Sequence, residues 1–167
     1  MDRRHTYDVT TTWTGNLGTG TSSYRGYSRE HEVRAEGRPL LPGSSDPAFL
    51  GDPGRWNPEL LLVASLSQCH MLWYLHIASA AGVVVTAYTD EAVGTMHEEA
   101  DGTGRFTGVE LRPRVEVAEE SMLTAAENAH AKAHDQCFIA RSVAFPVSHS
   151  PLVTVRGSAE PAPQRSA

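Results

Sequence analysis

The longest apolar segment of the chain covers residues 60–81, and only a few polar positions interrupt it. Asn57 can cap a helix at its start, Pro58 suits the first helical position, and Gly82 supplies a stop. We therefore predict a helix over residues 57–81. Because apolar residues lie on nearly all of its faces, we expect burial on nearly all sides, for which a partner subunit is the natural cover.

A second helical pattern differs from the first, because its apolar stripe is narrow and made of small residues. It covers residues 119–135. The stripe consists of Met122, Ala125, Ala126, Ala129 and Ala133. Small side chains on one face let two helix backbones approach closely, so this pattern predicts tight packing against another helix.

The other segments alternate β-favouring residues with turn signals. Strands are predicted over residues 5–14, 19–35, 83–93, 95–99, 106–116, 138–147 and 152–155. Turns are predicted at 15–18, 36–39 and 100–104, and an ordered loop over 40–56. This order predicts an α+β fold. We expect one domain over residues 1–157 and a disordered tail over 158–167.

Charge and length exclude several classes of function. The chain has 167 residues, a formal net charge of −6 and no basic stripe, which disfavours nucleic acid or an anionic membrane as a partner. The polar residues within 60–81 make that segment a poor membrane span. Residues 1–4 open charged rather than as an export signal, so we expect a cytoplasmic protein in which any disulfide is transient and catalytic.

The chain has two cysteines, Cys69 in the first predicted helix and Cys137 at the end of the second. Their spacing matches neither a zinc knuckle nor a thioredoxin-type pair. We expect Cys69 to be buried, which raises the pKa of a thiol, so a reactive thiolate needs a nearby cation. Arg25, Arg29 and Arg55 are the candidates.

Two motifs resemble those of a known family of thiol peroxidases, the OsmC/Ohr family, named for osmotic induction and organic hydroperoxide resistance. The motifs are Asn57-Pro58-Glu59-Leu60-Leu61 followed by Ala64 and Cys69, and Ala133-His134-Asp135-Gln136-Cys137 followed by Arg141-Ser142-Val143. The order of elements agrees over about residues 6–156. The resemblance implies an intertwined homodimer with two long central helices flanked by antiparallel β-sheets and with active sites at the subunit interface.

The resemblance also implies a chemistry. Cys69 would reduce an organic hydroperoxide and become a sulfenic acid, and Cys137 would resolve it to a disulfide. A dithiol, either lipoyl-type or a small-molecule thiol, would supply the electrons, with no cofactor and no metal. Arg25 would activate Cys69, and Glu59 would orient that arginine.

An unbroken helix constrains the role of Glu59. Ten residues separate Glu59 from Cys69, a rise of about 15 Å, which no side chain spans. We therefore expect Glu59 and the arginine to serve the cysteine of the other chain. The residues expected to line a pocket for the hydroperoxide are Leu66, Met71, Leu72 and Trp73.

Three alternatives remain open at this point. The family's usual arginine positions, near residues 16–20 and at Phe49, hold no arginine. A non-catalytic dimeric OsmC-fold protein, used for binding or structure and with a packing cysteine pair, is therefore the second hypothesis. His130, His134 and Cys137 have a spacing that could form a metal-binding face. The histidines of the first helix, His70 and His76, are predicted to be core or pocket-wall residues.

Overall fold

The computed structural model describes residues 3–158 of the chain. It divides into two compact units, Met1–Leu62 and Val63–Ala167, whose boundary falls inside the first helix. The single domain expected over residues 1–157 stays a prediction. Apart from Ser158, the tail predicted over residues 158–167 lies outside the described residues.

The described residues form two α-helices, nine strands and three short 3-10 segments. The helices are α1 (Pro58–Ala80) and α2 (Leu123–Gln136). The strands are β1 (Thr10–Trp13), β2 (His31–Arg34), β3 (Leu41–Gly43), β4 (Val85–Asp90), β5 (Val93–Glu98), β6 (Gly104–Leu111), β7 (Pro113–Val117), β8 (Val147–His149) and β9 (Leu152–Val155). The 3-10 segments are Pro47–Phe49, Glu120–Met122 and Ala140–Ser142. The predicted α+β class is confirmed.

The ends of α1 follow from the residues predicted to set them. Asn57 Oδ1 accepts a hydrogen bond from the Leu60 amide at 2.7 Å, which satisfies one of the unpaired donors of the first turn. Gly82 ends the helix with a φ of 75°, a conformation that costs glycine little. The predicted start and stop of this helix are therefore confirmed.

The burial of α1 is narrower than predicted. One side chain in every four is buried, which is a single stripe: Leu66, His70, Tyr74 and Ala78. Leu72 keeps 60% of its surface exposed, so the chain by itself does not cover α1 on nearly all sides. Among residues 3–158, α1 is the one helix long and apolar enough to cross a membrane, a test that core helices of globular proteins also pass.

The first unit contains a three-stranded antiparallel sheet in the order β1-β2-β3. Its strands are much shorter than predicted, because residues 14–30 form a loop instead of strand. Asn16 Oδ1 accepts hydrogen bonds from the amides of Gly18 at 2.9 Å and Gly20 at 3.0 Å, and both glycines have positive φ. This side chain-to-backbone turn competes with strand pairing and ends the hairpin early.

The second unit contains two three-stranded sheets, β4-β7-β9 and β5-β6-β8. The strand predicted over residues 106–116 is in fact β6 and β7, which belong to different sheets and are separated at Arg112. The Arg112 amide donates to the side-chain oxygen Oδ1 of Asp90 at 2.7 Å instead of to a backbone carbonyl. Four pairings in the three sheets are antiparallel, whereas β6 with β8 and β7 with β9 are parallel.

The strand predicted over residues 138–147 is wrong for most of its length. After α2 the chain turns, and the Ser142 hydroxyl donates to the Phe138 carbonyl at 2.7 Å. The Arg141 amide donates to the Cys137 carbonyl at 3.1 Å, which continues the turn. The apolar residues of this segment suggested a strand, but their backbone groups are used locally, so a strand begins only at Val147.

The core of the second unit forms where the small-residue stripe of α2 packs against α1 and β7. Its buried members are Tyr74, Ala78, Val83, Val115, Val117, Ala126, Ala129 and Ala133. Three alanines of the predicted stripe are at most 2% exposed, so its burial is confirmed. The backbone of α2 is nearer to β9 than to α1, so the predicted close approach of two helices is not confirmed. The stripe places the C-terminal half of α2 against the middle of α1, which is where the cysteines lie.

Candidate active site

Cys69 and Cys137 meet in the second unit. Cys69 lies in the middle of α1, and Cys137 caps the C-terminus of α2, where its amide donates to the His134 carbonyl at 3.3 Å. The two side chains are close enough for Cys69 to shift the pKa of Cys137, and both thiols are free. One chain alone thus assembles the sulfur pair.

The two thiols differ in exposure, and the difference is opposite to our expectation. Cys137 is 1% exposed, whereas Cys69 is only half-buried, so the predicted deep burial of Cys69 is wrong for the chain alone. Burial, and then the hydrogen bond with Cys69, raise the pKa of Cys137 to about 11. The amides of Ile139 and Ala140 oppose this shift, the latter donating to Cys137 Sγ at 3.4 Å. Cys137 therefore keeps its proton at neutral pH and can donate it in the bond to Cys69.

Aromatic rings accompany both cysteines. Trp73 is one helical turn after Cys69, and Phe138 directly follows Cys137. Their ring centroids are 5.4 Å apart with the planes at 80°, an edge-to-face contact. Phe138 keeps 67% of its surface exposed, so this pair presents an apolar surface next to the thiols.

Leu66 does not take the pocket role that the sequence suggested. It is fully buried and packs with Val109 and Leu111 in a second core cluster. Met71 is half-buried and Leu72 is exposed, so these side chains remain accessible in the chain alone.

Two of the three candidate arginines are already engaged within the first unit. The guanidinium of Arg29 donates to the carbonyls of Tyr24 and Tyr27, each at 2.7 Å, and lies 4.4 and 4.2 Å from the centroids of their rings. Arg55 forms ion pairs with Glu30 at 3.2 Å and Asp52 at 3.3 Å. Both side chains hold their own loops together.

The third arginine and the glutamate lack partners within the described part of the chain. Arg25 is exposed on the loop over residues 14–30 and has no ion pair or hydrogen bond with residues 3–158. Glu59 Oε2 is buried and also has no hydrogen-bond partner there. The structure does not join Arg25 to Glu59, and α1 is unbroken between Glu59 and Cys69. The roles predicted for both residues stay predictions.

A histidine cluster lies beside the thiols, and the sequence analysis missed it. It consists of His70 on α1, His130 and His134 on α2, and His149 on β8. His70 Nε2 and His130 Nδ1 are 3.1 Å apart, and both residues are 1% exposed. The spacing of His130 and His134 was a signal, but the sequence analysis considered it only as an alternative metal-binding face.

Within the histidine cluster, His70 and His130 have the properties of two neutral rings joined by a hydrogen bond. Burial, with smaller contributions from His149 and His134, lowers the pKa of His70 to about 4. Burial, followed by His70 and His149, lowers the pKa of His130 to about 3. One hydrogen bond joins His70 Nε2 and His130 Nδ1, and the tautomers decide which nitrogen donates. No group of three histidine, cysteine or acidic residues within 3–158 is arranged to hold a metal ion.

Comparison with known proteins places this arrangement in a family. The model of a family described as OsmC-like protein matches residues 51–150 of the chain. An OsmC-like protein of unknown function from Vibrio cholerae O1 is 32% identical, with a TM-score of 0.80 over 89% of this chain and 100% of that one. Cys69, Cys137 and all four members of the histidine cluster fall within the matched residues.

Solved structures with lower identity share the fold. An organic hydroperoxide resistance protein from Elizabethkingia anophelis, with thiocyanate bound, is 17% identical and has a TM-score of 0.62 over 93% of this chain and 98% of that one. An organic hydroperoxide resistance protein OsmC from Legionella pneumophila is 16% identical, with a TM-score of 0.61 over 92% and 98%. No curated protein matches the chain.

Proposed function

This chain belongs to the OsmC-like protein family, and we propose that it is a cysteine-based peroxidase that reduces organic hydroperoxides to alcohols. The observation that carries the proposal is the contact between two free thiols, Cys69 and Cys137, from different helices of one chain. A two-cysteine redox cycle needs such a contact, because the second thiol must reach the first after its oxidation. The hydroperoxide resistance proteins of the same fold support this substrate class.

The difference in exposure supports Cys69 as the residue that attacks the peroxide. Cys69 is half-exposed, and Cys137 is buried and holds its proton. In the first step the Cys69 thiolate attacks the distal oxygen, the O–O bond breaks, and the alkoxide leaves as an alcohol after taking a proton. Cys69 thereby becomes a sulfenic acid, and the peroxide has accepted two electrons.

The buried thiol completes the cycle. The sulfur of Cys137 attacks the sulfur of Cys69, and the sulfenic hydroxyl leaves as water together with the proton of Cys137. An external dithiol, lipoyl-type or a small-molecule thiol, then reduces the Cys69–Cys137 disulfide by exchange and is itself oxidised. Each cycle converts one hydroperoxide and one dithiol into one alcohol, one water and one disulfide, with no resident cofactor.

Activation of Cys69 by Arg25, oriented by Glu59, belongs to the same proposal. Arg29 and Arg55 are held by other partners, whereas Arg25 is exposed and unpaired within residues 3–158. The orphaned oxygen of Glu59 supports a carboxylate that still requires a donor. We assign both residues to the thiol pair of the second chain in a homodimer, whose formation would also cover the exposed apolar residues of α1.

The test is a steady-state assay of the full chain with cumene hydroperoxide and, separately, hydrogen peroxide. Dihydrolipoamide or dithiothreitol serves as reductant. We expect a higher kcat/KM for the organic peroxide, because the surface formed by Trp73 and Phe138 is apolar. Equal kcat/KM values would contradict the apolar site, and an inactive wild-type chain would contradict the proposal.

The second hypothesis is a non-catalytic binding or structural protein of the same family. The observation that favours it is the absence, within residues 3–158, of any ion pair between Glu59 and an arginine. Titration of free thiols against a stoichiometric amount of cumene hydroperoxide separates the two hypotheses. Thiols that stay unreacted in the folded protein would favour the second. A cytoplasmic location in an oxidative stress response goes with the first.

A further inference from the structure

The His70–His130 contact is a directional hydrogen bond between the two helices that carry the thiols. The nitrogens are 3.1 Å apart, and the ring planes differ by only 9°. The ring centroids are 5.4 Å apart. This separation is close to the sum of the N···N distance and the two distances from a ring centre to its bonded nitrogen, which is the value for rings in line. The rings therefore lie end to end, as an N–H···N hydrogen bond requires, and not face to face.

This bond can hold one proton between its two inner nitrogens. A second proton would place two N–H groups against each other, which breaks the bond and brings two charges together. The groups facing the pair are Tyr74 on α1, His134 on α2 and His149 on β8, with Tyr88 of β4 behind Tyr74 and Asp135 near His149. Among the described residues, the groups in contact with the pair are aromatic rings and not carboxylates, whose negative charge would favour a second proton.

The two nitrogens that do not take part in the His70–His130 bond reduce the stability of the folded chain, because they are buried and unsatisfied within the described part of the chain. His70 Nδ1 and His130 Nε2 are buried and have no hydrogen-bond partner among residues 3–158. Two ordinary apolar side chains would fill this space without leaving polar atoms unsatisfied. We therefore explain the buried polar pair by the helix arrangement that it specifies, and not by a gain in the free energy of unfolding.

The pair sits close to the thiols along both helices. His70 directly follows Cys69 on α1, and His130 precedes Cys137 by seven residues, about two turns of α2. The other contacts between these helices include the ring of Tyr74 against that of His130, with centroids 4.1 Å apart, and the alanine stripe, whose methyl groups make non-directional contacts. The N–H···N bond is a directional contact that fixes how far one helix slides along the other.

We propose that His70 and His130 are positioning residues whose hydrogen bond sets the register of α1 against α2 and so holds Cys69 within reach of Cys137. Neither histidine needs to contact a sulfur atom or the substrate. The proposal deepens the proposed function, because the register matters for chemistry only if the two thiols form a disulfide.

The experiment measures the effective concentration of the two thiols, from the equilibrium of the full chain with reduced and oxidised glutathione. His130→Phe keeps a ring against Tyr74 but removes both nitrogens. We expect it to lower the effective concentration about tenfold, the equivalent of one hydrogen bond. His130→Asn keeps an amide near the position of Nδ1 and should restore the value to within about threefold of wild type.

The matched control is His97→Phe, which makes the same change at an exposed histidine of β5 and should leave the equilibrium unchanged. Urea unfolding of each variant separates a loss of register from a loss of folding. If His130→Phe does not fold, the effective concentration is compared instead between His70→Leu, which removes the nitrogens, and His70→Gln, which keeps an amide.

Two outcomes overturn the proposal. One is a wild-type effective concentration in His130→Phe, and the other is an equal loss in His130→Phe and His130→Asn, which would assign the effect to ring packing. Glutathione exchange involves no peroxide, so it is independent of the peroxidase assay. An inactive protein whose thiol equilibrium still depends on His130 would reject the proposed function and leave the positioning role standing.

Discussion

The region around the thiols and the loop that carries Arg25 and Arg29 differ in where their polar side chains find partners. In the first, Cys69 lies beside Cys137, and His70 is hydrogen-bonded to His130, all within one chain. In the second, residues 14–30, the loop satisfies its own polar groups, and Arg25 stays exposed and unpaired within the described residues. One chain therefore brings its two thiols together but leaves the predicted cation, Arg25, without a partner among the described residues.

The two regions should therefore control two different steps, disulfide formation and activation of the thiolate. In the proposed mechanism, disulfide formation requires only contacts inside one chain, whereas activation of the thiolate requires Arg25 and Glu59 to be brought to a sulfur. Variants of the first region should therefore change the thiol chemistry itself, and variants of the second should change the rate while leaving the disulfide equilibrium intact.

The largest effect is expected at the thiol that attacks the peroxide. Cys69→Ser should lower turnover of cumene hydroperoxide at least about a thousandfold, because a hydroxyl is a far weaker nucleophile. Cys137→Ser should still react with one equivalent of peroxide and accumulate a sulfenic acid that dimedone labels. Activity in Cys69→Ser equal to that of wild type would remove Cys69 from the mechanism.

Acid should weaken the fold through the histidine cluster. The folded pKa values of His70 and His130 lie below the ordinary value of 6.5, at about 4 and about 3, so the unfolded chain binds protons first as the pH falls. Their contribution is full above pH 6.5 and is lost between that pH and about 3. By pH 4 the loss should exceed about a hundredfold in the equilibrium constant of unfolding.

Urea unfolding at pH values from 7 to 4 measures this dependence. Replacement of His130 by phenylalanine should flatten the curve over this range, and the exposed-site variant His97→Phe should retain the wild-type slope. A wild-type curve that is already flat between pH 7 and 4 would contradict the neutral, buried state of the pair.

Within the loop over residues 14–30, one arginine should affect the peroxidase rate and another the free energy of unfolding. Arg25→Ala should lower kcat/KM about thirtyfold with an unchanged urea midpoint, because the side chain is exposed and unpaired in residues 3–158. Arg29→Ala should instead lower the unfolding free energy by about 1–3 kcal/mol, since it loses two hydrogen bonds and two ring contacts. The reverse pattern would assign the activating role to Arg29.

A smaller effect is expected at the carboxylate. Glu59→Gln should lower kcat/KM about fivefold, because an amide orients a guanidinium less strongly than a carboxylate does. Its unfolding free energy should stay within about 0.5 kcal/mol of wild type, since Oε2 has no partner to lose among residues 3–158. A large loss of stability would show that Glu59 is already paired in the free chain.

The sequence predicted the features that depend on local chemistry. The cap at Asn57, the stop at Gly82 and the burial of the small-residue stripe of α2 follow from one residue or one period, and all are confirmed. The pairing of Cys69 with Cys137 came from the family resemblance and not from spacing, because contacts between distant helices leave no local pattern.

The features that failed depend on where backbone groups find their partners. The apolar run after Cys137 looks like a strand until its donors are seen to bond within a turn. The burial of Cys69 failed because an apolar helix does not show which face the chain itself can cover. The histidine cluster was missed because His70 and His149 are isolated in sequence and meet only through the fold.

The most direct measurement is peptide mapping under non-reducing conditions after one equivalent of cumene hydroperoxide, with free thiols alkylated first. The account predicts a Cys69–Cys137 disulfide within each chain and no alkylated cysteine. Two alkylated cysteines, or a Cys69–Cys69 bond between chains, would contradict the claim that one chain holds the complete thiol pair.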